Sequence, residues 1–235
     1  MATLTNRSTT RLSPDDPRIA RPIFTLREAA GHLAVPVSTL HVWAADGGRP
    51  LVTTRKGKRL EASVPFIGFA EAFVLAAFRK AGVPMQRIRP AVEVLRRDLG
   101  IEHALASQEL YTDGAEVLYR YAERDADGLE LTVLRTGQKQ FSDLVLDYLS
   151  RITYGNDGWA RQVELPAYGR TTVIVDPERA FGLPFVVDGG TRVEDLGDRF
   201  VAGDTLKTIS QDFGVPEAEV EDVIRVAAQA SASAS

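Results

Sequence analysis

A run of cationic residues near position 55 has the composition of a phosphate-binding loop. Four of five consecutive residues are charged, namely Arg55, Lys56, Lys58 and Arg59 around Gly57. Each contact between such a cation and a nucleic-acid phosphate releases a counterion, so this kind of cluster binds without regard to base sequence. Arg27 and Arg49 add two cations in the same stretch. These residues predict contact with a phosphate backbone.

Two helices joined by a tight turn are expected to position the cations. Thr25 and Glu28 have the spacing of a capping box, which predicts that a first helix begins near Thr25. Pro36 suits the entry of a second helix over residues 37–45. Proline has no amide N–H, and at the start of a helix this group would have no intrahelical acceptor in any case. Leu40 and Trp43 of this helix are expected to close the core.

The outward side of the second helix is predicted to carry Ser38, Thr39 and His41. A helix-turn-helix inserts such a face into the major groove of DNA. Two short strands over residues 51–54 and 58–61 are expected to form a wing around Gly57. The alternative is a helical hairpin with an exposed charged loop, which would pack against other elements and bind no DNA.

The stretch from Phe24 to Arg59 resembles the winged helices of the MerR-like group. The matching residues are Leu33, Val35, Thr39, Leu40 and Trp43. Pro36 stands where that group usually has a capping serine, and His41 stands where it often has a basic residue. The resemblance implies binding to double-stranded DNA and two supporting helices behind the head.

Composition predicts a globular protein that does not span a membrane. The chain has 235 residues, 44% of them hydrophobic, and no cysteine, which suits a reducing cytoplasm. The charge is divided: residues 1–100 carry 16 Lys and Arg against 8 Asp and Glu, a net +8, while the remainder carries −12. We therefore expect the first part to meet nucleic acid and the second part to meet another partner.

The expected fold is α+β and mainly helical, with five segments. Residues 1–22 are expected to form a flexible arm or a single tethering strand. Residues 23–100 are expected to form the winged head with two helices, the first over 64–81 and the second carrying Ile88, Val92, Leu95 and Leu99. Residues 101–172 are expected to form a small α+β middle region. Its predicted strands are 116–121, 129–134, 159–165 and 171–175, and its predicted helix is 141–149. A helical unit over 173–228 and a disordered tail over 229–235 complete the chain.

The last third resembles a small family called domain of unknown function 433. The resemblance rests on the segments Asp176 to Pro184, Gly189 to Val193, Phe200 to Asp204 and Ile209 to Gly214. Members of that family are regarded as antitoxins encoded beside PIN-like ribonucleases. The combination with a winged head resembles a VapB-type antitoxin, which implies a ribonuclease toxin as partner, operator DNA as a second partner and a homodimer in the cytoplasm.

The same C-terminal segment is predicted from its residues to be a second helix-turn-helix. Asp204 is expected to cap its first helix, and Gly214 to end it. Glu217 and Glu221 begin the second helix, where phosphates would repel them, so we expect this unit to bind protein. Among its cations, Arg179 or Arg192 could block a toxin's metal-binding acids. A purely structural cap is the alternative.

The sequence contains no recognisable motif of a catalytic or metal-binding site. His32, His41 and His103 are scattered and lack the neighbours of a metal site, so we expect no metal, no cofactor and no catalysis. Two functions remain open. One is an antitoxin that represses its own operon and inhibits a PIN-like ribonuclease; the other is a MerR-like regulator whose middle region senses a small ligand.

Overall fold

The computed structural model describes residues 12–45, 49–57, 61–110 and 144–232. The fold is α+β and mainly helical, as the sequence predicts. The helices of the first part are α1 (Pro17–Ala20), α2 (Leu26–His32), α3 (Val37–Ala44), α4 (Phe66–Lys80) and α5 (Met85–Leu99). A helix over 144–150, here α6, precedes α7 (Val193–Val201), α8 (Leu206–Phe213) and α9 (Glu217–Ala232).

Helices α2 and α3 form the expected helix-turn-helix. The Thr25 hydroxyl accepts a hydrogen bond from the Glu28 amide at 3.2 Å, and the Glu28 carboxylate accepts one from the Thr25 amide at 2.7 Å. This capping box fixes the start of α2. Pro36 occupies the N-cap position of α3, and Leu40 and Trp43 are fully buried against the core.

A two-stranded antiparallel sheet lies beside the head. Strand β1 (Pro22–Phe24) pairs with β2 (Val64–Pro65), which immediately precedes α4. The described residues 12–22 contain helix α1, and of these residues only Pro22 belongs to a strand, so the tethering strand expected here is not formed over 12–21. The expectation of a flexible arm is wrong for these residues, because Asp16 caps α1 and accepts a hydrogen bond from the Arg18 amide at 2.9 Å.

Helix α4 is the centre of the core. Its residues from Phe66 to Phe78 are all buried, including Glu71. Gly100 ends α5 in the left-handed conformation at φ 67°, as the sequence predicts.

The strand predicted over residues 51–54 is not formed. Leu51 and Val52 are fully buried, and their amides donate to the Trp43 carbonyl at 2.9 and 3.2 Å instead of to a neighbouring strand. A short apolar run therefore indicated burial but not strand geometry. The base of the cationic loop is closed by a hydrogen bond of 2.7 Å from the Arg55 amide to the Ser63 carbonyl. Residues 58–60 lie outside the described residues.

A four-stranded antiparallel sheet joins the middle of the chain to its end. Its strands lie in chain order and are β3 (Ile152–Tyr154), β4 (Ala160–Glu164), β5 (Val173–Val175) and β6 (Phe185–Val186). The pairing of β4 with β5 agrees with the predicted strand pair. It also places the boundary expected between residues 172 and 173 inside one sheet. The strands predicted over 116–121 and 129–134 lie outside the described residues.

Helices α7, α8 and α9 pack together after the sheet, with Leu196, Ile209 and Val220 buried between them. Gly214 ends α8 at φ 66°, as expected. The cap of α8 is Thr205, whose hydroxyl accepts from the Thr208 amide at 3.2 Å, and not Asp204. Helix α9 continues to Ala232, so the disordered tail predicted from residue 229 is wrong as far as residue 232.

The described part of the chain contains no helix that combines the length and the apolar character needed to cross a bilayer.

Candidate nucleic-acid interface

The outward face of α3 consists of Ser38, His41 and Val42, which are all exposed. These positions follow the spacing of one helical face, opposite the buried Leu40 and Trp43. Thr39, predicted to share this face, is half-buried at its flank. Val42 takes its place with 61% of its surface exposed. The face therefore offers a hydroxyl, an imidazole and an apolar side chain.

The predicted phosphate-binding cations do not behave as one group. Arg27, Arg49 and Lys56 are exposed. Arg55 is half-buried, and its guanidinium donates to the Ile19 carbonyl at 2.9 Å and to the Pro14 carbonyl at 3.1 Å. These bonds commit Arg55 to tethering the N-terminal segment. Lys58 and Arg59 lie outside the described residues.

Two arginines of α5 hold the chain that follows α3. Arg89 donates to the Arg49 carbonyl at 3.0 Å, and Arg96 donates to the Pro50 carbonyl at 2.9 Å. Arg96 is only 7% exposed and also pairs with Glu93. Arg96 is therefore buried, although a cation within a helical pattern is ordinarily solvated. The hydrogen bonds of these two arginines fix the position of the connection between α3 and the cationic loop.

A buried polar cluster fixes the other end of this connection. The Glu71 carboxylate, fully buried, accepts from the Thr53 amide at 2.6 Å and lies 3.1 Å from Nδ1 of His103. The same Nδ1 lies 3.0 Å from the Thr53 hydroxyl. Helix α4 approaches closely here, since a Cβ on Gly68 would lie 2.0 Å from the Thr53 carbonyl oxygen. The sequence pattern did not predict this cluster; a lone glutamate within the apolar stripe of α4 was its signal.

The head is joined to the four-stranded sheet by an ion pair. Arg18 donates to the Asp157 carboxylate at 2.6 Å and also pairs with Asp16. Burial of Asp157 opposes its ionisation, but hydrogen bonds from Arg18 and from the Trp159 amide outweigh it and hold the pKa of this carboxyl below its ordinary value. A second contact is apolar, because a Cβ on Gly182 would lie 2.7 Å from Cγ2 of Ile23.

His32 is half-buried and packs against Phe24 within the head. Its ring centroid is 5.1 Å from that of Phe24. Desolvation by burial lowers the pKa of His32 to about 4, against a smaller opposing effect of the Glu28 charge. The imidazole is therefore neutral at physiological pH and serves packing.

The residues predicted to meet a protein partner lie in different surroundings. Glu217 and Glu221 are exposed at the start of α9. Arg192 is held by the Asp195 carboxylate through two hydrogen bonds. Arg179 is exposed and lies over the Phe185 ring, 4.3 Å from its centroid.

One acidic residue of α9 faces inward. Asp222 is 4% exposed and accepts from the Arg170 amide at 2.8 Å and the Thr171 amide at 3.2 Å. It anchors α9 to the connection between β4 and β5.

An exposed aromatic residue stands beside Arg179. Phe181 is 72% exposed and has φ 58°, a left-handed conformation that is costly for a residue with a side chain. Ala180 precedes it at φ 47°. No spacing in the sequence indicated this conformation.

The surroundings of the described acids and histidines do not suggest a metal centre. Within the described ranges, no group of three or more such residues has an arrangement that could hold a metal ion.

Comparison with known proteins gives matches to a family model, to a curated relative and to a solved structure. Residues 22–92 match a family model described as a putative DNA-binding helix-turn-helix domain. The Mycobacterium tuberculosis protein named "Putative antitoxin VapB45" is 42% identical over 223 residues, which cover 86% of this chain and 92% of that protein. The crystal structure of Rv2018 from M. tuberculosis matches with a TM-score of 0.75 and 38% identity, covering 88% of this chain and 99% of that chain. The chain therefore belongs to the family of antitoxins to which VapB45 is assigned, and its head is a helix-turn-helix domain of the DNA-binding type.

Proposed function

We propose that this protein is the antitoxin of a type II toxin–antitoxin pair in the cytoplasm. Its head binds operator DNA and represses its own operon, and its C-terminal unit binds and inhibits a PIN-like ribonuclease. The observation that carries the proposal is the 42% identity to the protein named "Putative antitoxin VapB45", over an alignment that covers 86% of this chain and therefore includes parts of both the head and the C-terminal unit. The resemblances to MerR-like heads and to domain of unknown function 433 support the same division.

The DNA half of the proposal uses the exposed face of α3. Ser38 and His41 would contact base edges, because the second helix of a helix-turn-helix enters the major groove. Lys56, Lys58 and Arg59 would contact phosphates beside the groove, with Arg27 and Arg49 as further phosphate contacts. A homodimer would place two copies of α3 in successive major grooves, about 34 Å apart.

The protein half of the proposal uses the surface around Arg179. Among the described residues, its guanidinium contacts an aromatic ring and no carboxylate, whereas Arg192 is already paired with Asp195. Arg179 is therefore the better candidate to reach the metal-binding acids of a ribonuclease. Phe181 adds an exposed aromatic side chain beside it, and Arg and aromatic residues dominate the binding energy of protein interfaces. Glu217 and Glu221 would contact basic residues of the same partner.

Copurification tests the protein half. The chain is expressed with the ribonuclease encoded beside it, and ribonuclease activity is measured on the purified complex. We expect wild type to copurify with the nuclease and suppress its activity, and Arg179→Ala to lose both properties. Arg192→Ala is the matched control and should retain them. An active, uninhibited nuclease in the presence of excess wild type would contradict the antitoxin function.

A gel shift on the DNA upstream of the gene tests the other half. Wild type should retard this fragment, and the double substitution Ser38→Ala with His41→Ala should bind it no better than an unrelated duplex. Equal affinity of wild type for the upstream fragment and for the unrelated duplex would contradict operator recognition.

A further inference from the structure

Val42 is an exposed apolar residue in a head whose other large apolar side chains, among the described residues, are buried or half-buried. Phe24, Leu40 and Trp43 are at most 1% exposed, whereas Val42 is 61% exposed. Within the described part of residues 22–92, it alone is a large hydrophobic residue with most of its surface exposed. Single exposed apolar residues are common and need no explanation by themselves, so the position of Val42 decides what it can do.

Val42 lies on the same helical face as the two polar candidates for base contact. Ser38 is one turn before it, four residues away, and His41 is adjacent, three residues after Ser38. Residues at this spacing project from one side of a helix. Any duplex that is close enough to hydrogen-bond with Ser38 and His41 would therefore also contact Val42.

The chemistry of valine limits what it can recognise in a major groove. Its side chain has no hydrogen-bond donor or acceptor, so a base edge that presents polar atoms would be desolvated without compensation. Thymine is the ordinary base that presents an apolar group there, the C5-methyl. Contact between this methyl and the valine methyls removes apolar surface from water on both sides.

We propose that Val42 is a specificity-determining residue that selects thymine through its C5-methyl group in the major groove. This inference rests on the proposed operator binding. It adds a requirement that hydrogen bonds from Ser38 and His41 do not impose, since uracil has the same hydrogen-bonding groups as thymine and lacks only the methyl.

Replacing thymine by deoxyuridine in the bound DNA tests the inference. A preferred duplex is first selected from random DNA by the full-length protein, and each thymine is then replaced singly by deoxyuridine. Dissociation constants are measured for wild type, Val42→Ala and the control Ser38→Ala. We expect one thymine in each half-site at which deoxyuridine weakens wild-type binding about fourfold, the affinity contribution of one buried methyl group.

The variants give the decisive comparison. Val42→Ala should bind the thymine duplex about fourfold more weakly than wild type and show no additional weakening with deoxyuridine, while Ser38→Ala still discriminates. If Val42→Ala discriminates as wild type does at every thymine, the inference is wrong. A shift in sedimentation of Val42→Ala without a change in discrimination would assign Val42 to self-association and also overturn it. Failure of the full-length protein to select any duplex would instead reject operator binding itself.

Discussion

The Arg18 guanidinium binds the Asp157 carboxylate at 2.6 Å, across 139 residues of sequence. This ion pair joins the segment before strand β1 to the turn between β3 and β4. Arg18 has 17% of its side chain exposed and Asp157 has 35%, so water screens the pair only in part. The basic head and the acidic remainder of the chain are thus in direct contact.

Asp157→Asn should destabilise the protein by about 1 kcal/mol, because it removes the charge from a partly exposed pair but keeps the side-chain shape. The free energy of unfolding is measured with denaturant at pH 7. Glu178→Gln is the matched control, since its pair with Arg161 is exposed on both sides and its removal should change stability by less than about 0.5 kcal/mol.

The pH dependence of this difference has a defined direction. The pKa of Asp157 is lowered in the folded state, so its ionised form stabilises the fold above the ordinary pKa of an aspartate. The stability advantage of wild type over Asp157→Asn should therefore shrink as the pH falls below about 4. An advantage that persists unchanged at pH 3 would contradict the assignment.

Gly68→Ala should destabilise the head by about 3 kcal/mol, because the new methyl would meet the Thr53 carbonyl oxygen at 2.0 Å and neither backbone can move away easily. Gly31→Ala is a control within another helix, where the added Cβ would have no described atom within 4 Å apart from its chain neighbours and the backbone of its own helix. It should raise stability by about 0.5–1 kcal/mol. Thermal unfolding of both variants gives the comparison, and equal effects would mean that α4 and residue 53 are not in close contact.

Substitution of the cationic loop should separate DNA contacts from structural ones. The affinity of the protein for operator DNA is measured at several salt concentrations, and its logarithm is plotted against the logarithm of the salt concentration. The triple change of Lys56, Lys58 and Arg59 to Ala should make the slope of this plot shallower by about 0.9 for each phosphate that is no longer bound. Lys207→Ala, an exposed change in α8, should leave the slope unchanged.

Arg55→Ala should behave differently from its neighbours. Its guanidinium binds the carbonyls of Ile19 and Pro14, so we expect a lower free energy of unfolding and an unchanged slope. If Arg55→Ala instead reduced the salt dependence of DNA binding and kept wild-type stability, Arg55 would be a phosphate contact.

His32 should make the head sensitive to acid. Its folded pKa of about 4 lies below the ordinary value near 6.5, so the unfolded chain binds the proton more readily. Stability should be unaffected above pH 6.5 and fall by up to about 3 kcal/mol as the pH decreases to 4. The variant His32→Phe keeps a ring against Phe24 and should lack this component of the pH dependence. Parallel pH profiles of the two proteins would rule out a buried neutral histidine.

Local features of this fold could be predicted because their partners are close in sequence. The capping box joins Thr25 to Glu28, and Gly100 and Gly214 end helices in the left-handed conformation that glycine adopts freely. The helix-turn-helix followed from such signals and from the spacing of Leu40 and Trp43.

The remaining features depend on distant partners and gave weaker signals. Glu71 accepts from an amide 18 residues earlier, and Arg96 donates to a carbonyl 46 residues earlier. A charged residue in a helical pattern is ordinarily solvated, so neither position could be recognised as buried from spacing alone. The same reason explains Asp222, whose partners lie in a connection 51 and 52 residues away.

The turn at Gly182 lies directly on Ile23, at a distance that leaves no space for a β-carbon. We therefore expect that the head of this protein cannot be moved onto another C-terminal part independently of the residue at position 182. A chimera that keeps the first hundred residues of this chain should need glycine at position 182, because Ile23 leaves no room there for a β-carbon.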